Sequence, residues 1–230
     1  LPANATFSLD SLISAKSYRY IPKWTIDSIK LLISIVYIYA ALAKLNSDWL
    51  INAMPLKIWL TSQYDTPILG AFFHEDWVHY LMSWGGMFYD FCIPFLLLFP
   101  KTRLLGFCLV VGFHVLTKIL FPIGMFPFIM IFSATIFFSA TFHSSVIYYL
   151  IYPFKRIKLS FLNFKKMVTH NHFYYSNTKP IIYIYCAFFF LQIIIPFRYV
   201  LYPGELLWHE QGYRFSWRVM LVEKVGIANF

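Results

Sequence analysis

The sequence predicts an all-α protein, a polytopic membrane helical bundle with about five visible spans. Three observations carry that prediction. Hydrophobic residues make up 60% of the 230 and charged residues only 13%, whereas a soluble domain usually carries about a quarter charged residues. The apolar residues gather in runs close to the ~20 residues that cross a bilayer. Basic clusters, prolines and tryptophans separate the runs, as they do at the ends of membrane helices.

Taken in order, the chain opens on Leu1-Pro2-Ala3-Asn4 with neither an initiator methionine nor a signal-peptide pattern, which suggests a piece of a longer protein with further helices upstream. Residues 1–27 form a polar lead-in with a capped turn at Ser8-Leu9-Asp10-Ser11 and an interfacial Trp24. The first span runs from about Ile26 to Lys44. Residues 45–77 are too polar to span, yet Pro55 can open a short helix whose Leu56, Trp59 and Leu60 share one face. An interfacial elbow fits this stretch, with an anchored loop as the alternative.

The second span covers about 78–99 and carries Gly85, Gly86 and Asp90; the glycines suit close helix approach. A basic turn at Lys101 and Arg103 leads to the third span, 104–120. Phe121-Pro122-Ile123-Gly124-Met125-Phe126-Pro127 then breaks the chain, and its lack of charge predicts a turn buried in protein. A fourth span is expected over 124–138 and a fifth over 180–197, separated by a basic, tyrosine-rich loop at 139–179. Residues 198–230 form a polar tail. Cys92, Cys108 and Cys186 lie in apolar runs without zinc or redox spacing.

The net charge of +9 reads as topology and not as nucleic-acid binding. Five alternating spans put the lead-in, the 101–103 turn and the 139–179 loop on one side, which the positive-inside rule makes cytoplasmic. Lys44, the elbow, the 121–127 turn and the tail then share the outer face. The basic loop also suits contact with anionic membrane lipids.

Several residues could carry chemistry. Lys44 stands where an apolar helix meets a tryptophan-bearing polar segment. It reads either as a desolvated base or as an interface anchor paired with Asp48, one turn on. His114, Thr117 and Lys118 share a helix face inside the third span; intramembrane ionisable groups usually face a protein interior or cavity. Asp90 falls toward the opposite side from Lys44 in this topology and reads as a structural partner. The window His74, Glu75, Asp76 and His79 lacks secure metal spacing, and His209-Glu210 lacks the second histidine of a zinc motif, so no metal site is expected. Arg214 and Arg218, one helical turn apart, could hold a carboxylate or a polar headgroup.

Three separated motifs add a resemblance. Ala43-Lys44-Leu45-Asn46-Ser47-Asp48-Trp49, Phe121-Pro122-Ile123-Gly124-Met125-Phe126 and Gly212-Tyr213-Arg214-Phe215-Ser216-Trp217-Arg218-Val219-Met220 together resemble the vitamin K-dependent gamma-carboxylase family. More closely they resemble its bacterial relatives, the horizontally transferred transmembrane domain proteins. That resemblance implies an enzyme that couples oxygenation of reduced vitamin K, or of menaquinol, to carboxylation of glutamate, with O2 and CO2 as co-substrates. It implies that Lys44 is the initiating base acting on the quinol, and it makes His114, Thr117, Trp217 and Arg214 candidates for the quinone pocket. It also implies a glutamate-containing peptide or protein as partner, and a bacterial inner membrane as location. The family's second histidine region lies earlier than this part of its chain, and its large lumenal domain is expected to be absent here. Two alternatives stay open: a quinone-linked oxidoreductase or epoxidase without carboxylation, and a non-enzymatic lipid- or peptide-binding membrane module.

Overall fold

The computed structural model describes residues 17–151, 169–175, 177–204 and 206–218. The capped turn at 8–11 and the basic cluster at 155–166 lie outside them. The chain divides into two compact units, Leu1–Leu31 with Ile136–Tyr185, and Leu32–Thr135 with Cys186–Phe230.

Four described helices are long and apolar enough to cross a membrane: α1 (Lys23–Ala43), α4 (Asp76–Leu98), α5 (Arg103–Leu120), and α8 (Lys179–Ile194), which a 3-10 turn prolongs to Leu201. Two short helices, α2 (Ser47–Leu50) and α3 (Met54–Thr61), lie between α1 and α4. The expected fourth span is shorter than the other four as an ordered helix. Residues 124–138 hold α6 (Phe126–Ala134) and one 3-10 turn to Phe137. At about 1.5 Å per residue this is on the order of 18 Å, short of the ~30 Å hydrocarbon core.

The first unit contains two features that the hydropathy pattern did not signal. The 139–179 stretch is helical at its start, as α7 (Ala140–Ile151), and β1 (Ser17–Tyr20) pairs in parallel with β2 (Thr169–His172), Ser17 opposite Thr169. Trp24 packs there against Tyr175 and Tyr185. A two-strand ladder of four-residue strands leaves the protein helical in class.

The second unit is built around the α4–α5 hairpin. Gly106 sets the closeness of the two helices, since a Cβ there would lie 2.9 Å from Leu96 Cβ. The turn is tied by Thr102 Oγ1, which donates to the Leu96 carbonyl at 3.0 Å, and by Arg103 Nε, which donates to the Leu97 carbonyl at 3.0 Å. Gly85 and Gly86 do not play the expected part. A Cβ at either meets nothing within 4 Å, so Gly86 leaves space beside α4 instead of letting a helix approach.

The elbow is a packed structure. Pro55 stands in the first turn of α3, where its missing N–H leaves no bond unmade. Leu56 and Leu60 are buried from one face, as their spacing predicts, in a cluster with Ala43, Trp49, Phe73 and Leu120. Trp49 and Trp84 pin the elbow to α4: their indole nitrogens donate to the Ser83 carbonyl at 2.9 Å and the Leu50 carbonyl at 3.0 Å. Ser83 Oγ donates back to the Trp49 carbonyl. The cluster joins the end of α1, the start of α4 and the end of α5, so these ends share one side of the bundle. Tyr39 donates to the Ile193 carbonyl and packs on Phe197, so α1 and α8 end side by side.

The 121–127 turn is only partly covered, contrary to expectation. Pro122, Gly124 and Met125 are exposed, Met125 by 72%. Phe121, Ile123 and Phe126 are half-buried and turn inward, so the turn shields one face and presents the other outward.

Candidate functional site

The site is organised by the short polar stretch where α1 ends. Asn46 makes the change of direction. Its amide nitrogen donates to the Ala43 carbonyl at 3.0 Å, meeting an otherwise open helix-end acceptor. Its side-chain oxygen accepts from the Trp49 backbone N–H at 2.9 Å, capping α2. One residue thus closes one helix and opens the next, and leaves Lys44 at the joint.

Lys44 does not pair with Asp48. Its ammonium donates to Asp90 Oδ2 at 2.6 Å and to the Ala40 carbonyl at 3.2 Å. The side chains are 12% and 7% exposed respectively. The expectation that Asp90 lies away from Lys44 is therefore corrected, and the reason is geometric. Side chains on a helix lean toward its N-terminus. The Lys44 stem runs back along α1 by one turn, inward. Asp90, on a helix running the opposite way, leans outward to meet it. Pro94 adds to the local irregularity, because it has no N–H for the Asp90 carbonyl. A buried ion pair is costly to desolvate and is held only by close geometry and further hydrogen bonds.

The pair opens on a cavity of about 140 Å³. Trp49, Trp59, Phe113, Phe121, Phe126 and Met130 supply apolar wall. Gly86 lines it as well, and the missing Cβ there contributes to its width. Lys44, Asp90, His114 and Thr117 are its polar members. A dry cavity of about 150 Å³ accepts a benzene-sized ring, so this space suits a planar aromatic group carrying a few polar atoms.

His114 is 3% exposed. Its Nε2 lies 3.2 Å from the Tyr37 hydroxyl, which holds the ring. Its Nδ1 has no hydrogen-bond partner among the described residues, and a buried polar atom left so is costly unless something meets it. Thr117 Oγ1 donates to the His114 carbonyl at 3.1 Å, a local helical bond.

Of the five residues expected at the site, Lys44, His114 and Thr117 come together here. Arg214 and Trp217 do not line the cavity. Arg214 is exposed, and Trp217 is half-buried with an indole N–H that has no partner among the described residues. The 211–218 segment is turn and bend, so Arg214 and Arg218 are not on one helix face. Arg218 instead lies over the Tyr199 ring at 4.6 Å and reaches the Ala43 carbonyl at 3.5 Å, touching the end of the Lys44-bearing helix from behind. Gly212 allows this fold, with φ +80° and a Cβ position only 2.6 Å from Tyr199 Cα.

Two residues escaped the sequence reading as site members: Asp90, and Tyr37, a buried polar ring in an apolar run. The acidic window at 74–79 holds the elbow. Lys57 donates to Asp76 at 3.1 Å, and that bond raises the Lys57 pKa. His79 Nε2 meets the Phe73 carbonyl at 2.7 Å.

These features define an integral membrane helical protein with an ionisable pair sunk in the wall of an apolar cavity. Residues 1–142 match the HTTM domain model, and residues 177–230 match the lumenal domain of vitamin K-dependent gamma-carboxylase. The chain belongs to the HTTM domain family, the membrane family related to those carboxylases. The second match corrects the expectation that nothing of the lumenal domain is present: the matched region begins just before α8 and takes in the Gly212–Met220 motif. No solved structure matches the chain.

Proposed function

We propose that this protein is a gamma-carboxylase-like membrane enzyme, placed in a bacterial inner membrane, whose cavity takes a reduced naphthoquinone, either vitamin K hydroquinone or menaquinol. The observation that supports this most is the Lys44–Asp90 pair lining an apolar cavity together with His114. The residues fit such a ring. The aromatic wall suits its two faces, and Lys44 Nζ and the unpartnered His114 Nδ1 are two polar atoms that could meet its oxygens.

In this reading Lys44 Nζ, as the free amine, takes a proton from a hydroxyl bound in the cavity. Tyr37 holds His114 so that Nδ1 remains for the same ligand. The aromatic wall excludes water, which strengthens each electrostatic contact inside. Bound there, the quinol and oxygen would supply the base strong enough to remove a glutamate gamma-proton, which an amine is far too weak to do. CO2 would then add to a glutamate-containing peptide. Arg218, which lies within the 177–230 lumenal-domain match, reaches the Ala43 carbonyl at the end of α1, and this supports a role for the tail beside the site.

The test gives the intact protein in lipid nanodiscs reduced vitamin K or menaquinol, labelled bicarbonate and a glutamate-rich peptide. Label in peptide and quinone epoxide are expected, both lost in Lys44→Ala. Epoxide without label would favour the epoxidase alternative. Neither product, or a fully active Lys44→Ala, would sink the proposal.

A further inference from the structure

We infer that Asp90 is the proton-holding partner of Lys44, a positioning residue that lets a buried lysine act as a base without releasing its proton to water. The inference rests on Lys44 being the base, as proposed above. It starts from geometry: Lys44 Nζ and Asp90 Oδ2 are 2.6 Å apart, in side chains 12% and 7% exposed. An ammonium carries no lone pair, so Lys44 must lose a proton before it can take one. Asp90 is the one carboxylate in an ion pair with Lys44 among the described residues.

The step balances within the pair. An N–H bond of the Lys44 ammonium breaks, an O–H bond forms on Asp90, and the electron pair stays on Nζ. The pair is neutral in total before and after, so no separated charge is left in an apolar wall, where it would be costly. Nζ then takes the proton of a hydroxyl held in the cavity. The other groups facing the pair do not replace Asp90. On α1, the Ala40 carbonyl accepts from Nζ, and Tyr37 is bound to His114 Nε2 of α5. On α2, Trp49 offers a ring face 5.5 Å from Nζ. Tyr89 precedes Asp90 on α4 and stacks on Phe113. From the tail, Arg218 lies over the Tyr199 ring and reaches the Ala43 carbonyl, not the pair. Without Asp90 the lysine must give its proton to solvent, and that exchange depends on pH.

The experiment follows quinol consumption by the intact protein in nanodiscs from about pH 6 to about pH 9 in wild type, Asp90→Asn, Asp90→Glu and Lys44→Ala. Asp90→Asn is expected to slow turnover at least ~10-fold at the acid end and to recover most of it at the alkaline end, while Asp90→Glu keeps the wild-type pH profile. Quenching of Trp49 and Trp59 fluorescence by a menaquinone analogue reports that the cavity is intact in each variant. A uniform loss at every pH would make Asp90 merely structural and overturn the inference, as would a wild-type rate and profile. Wild-type turnover by Lys44→Ala would refute the base itself, a separate failure. If Asp90→Asn does not fold, Asp90→Ser with formate in the buffer replaces it: turnover restored by formate supports the inference, and no restoration overturns it.

Discussion

Breaking the Lys44–Asp90 pair from either side should be far more damaging than removing it whole. The pair lies at 2.6 Å with both side chains nearly inaccessible. At that distance, with an effective dielectric of about 20, the Coulomb attraction is about 6 kcal/mol. Desolvation of two ions takes much of this back, which is why a buried pair adds little net stability relative to apolar residues of similar size. Truncating one partner leaves the other charge buried alone, at a cost of about 3–5 kcal/mol. Lys44→Met and Asp90→Leu should each lose that much, and the double variant should fall within ~2 kcal/mol of wild type. The assay is unfolding of the intact protein from mild detergent by titrated SDS, followed by tryptophan fluorescence. Single losses that simply add, with a coupling below ~1 kcal/mol, would refute the buried pair.

Two further outcomes test the cavity and the hairpin beside it. Gly86→Leu, placed where a Cβ meets nothing within 4 Å and lining the cavity, should leave stability within about 1 kcal/mol of wild type but abolish quenching of Trp49 and Trp59 by a naphthoquinone analogue; unchanged quenching would show that the ring binds elsewhere. Gly106→Val should destabilise by about 1–3 kcal/mol in the same SDS titration, because its Cβ would sit 2.9 Å from Leu96 Cβ, and a neutral result would mean that the α4–α5 contact is looser than described.

Much of the site was legible because its residues break a pattern. Lys44 ends an apolar run and His114 interrupts one, and both line the cavity. The α3 face of Leu56 and Leu60 followed from Pro55 and a helical period, which are local properties of the chain. Asp90 was visible as an ionisable residue in a span, but its partner was not. Depth along a helix was read from sequence position, which ignores the several ångströms by which side chains lean toward the helix N-terminus. Arg214 and Trp217 were grouped with the pocket by their motif, yet the tail is a chain of turns with positive φ at Glu210, Phe215 and Trp217. Helical spacing does not hold there, and Arg218 is the residue that reaches α1.

Legible in the sequence alone were the membrane class, the helical period, the four long helices to within about four residues, and the two polar side chains, Lys44 and His114, that an apolar run could not absorb without function or a partner. These depend on composition and local periodicity, which the bilayer enforces on every spanning helix. Packing alone shows that Gly86 opens space instead of closing it, and that Lys44 faces Asp90 and not Asp48. Those depend on which helices pack together and at what height, and contacts forty-six residues apart, as between Lys44 and Asp90, are set by packing and not by spacing.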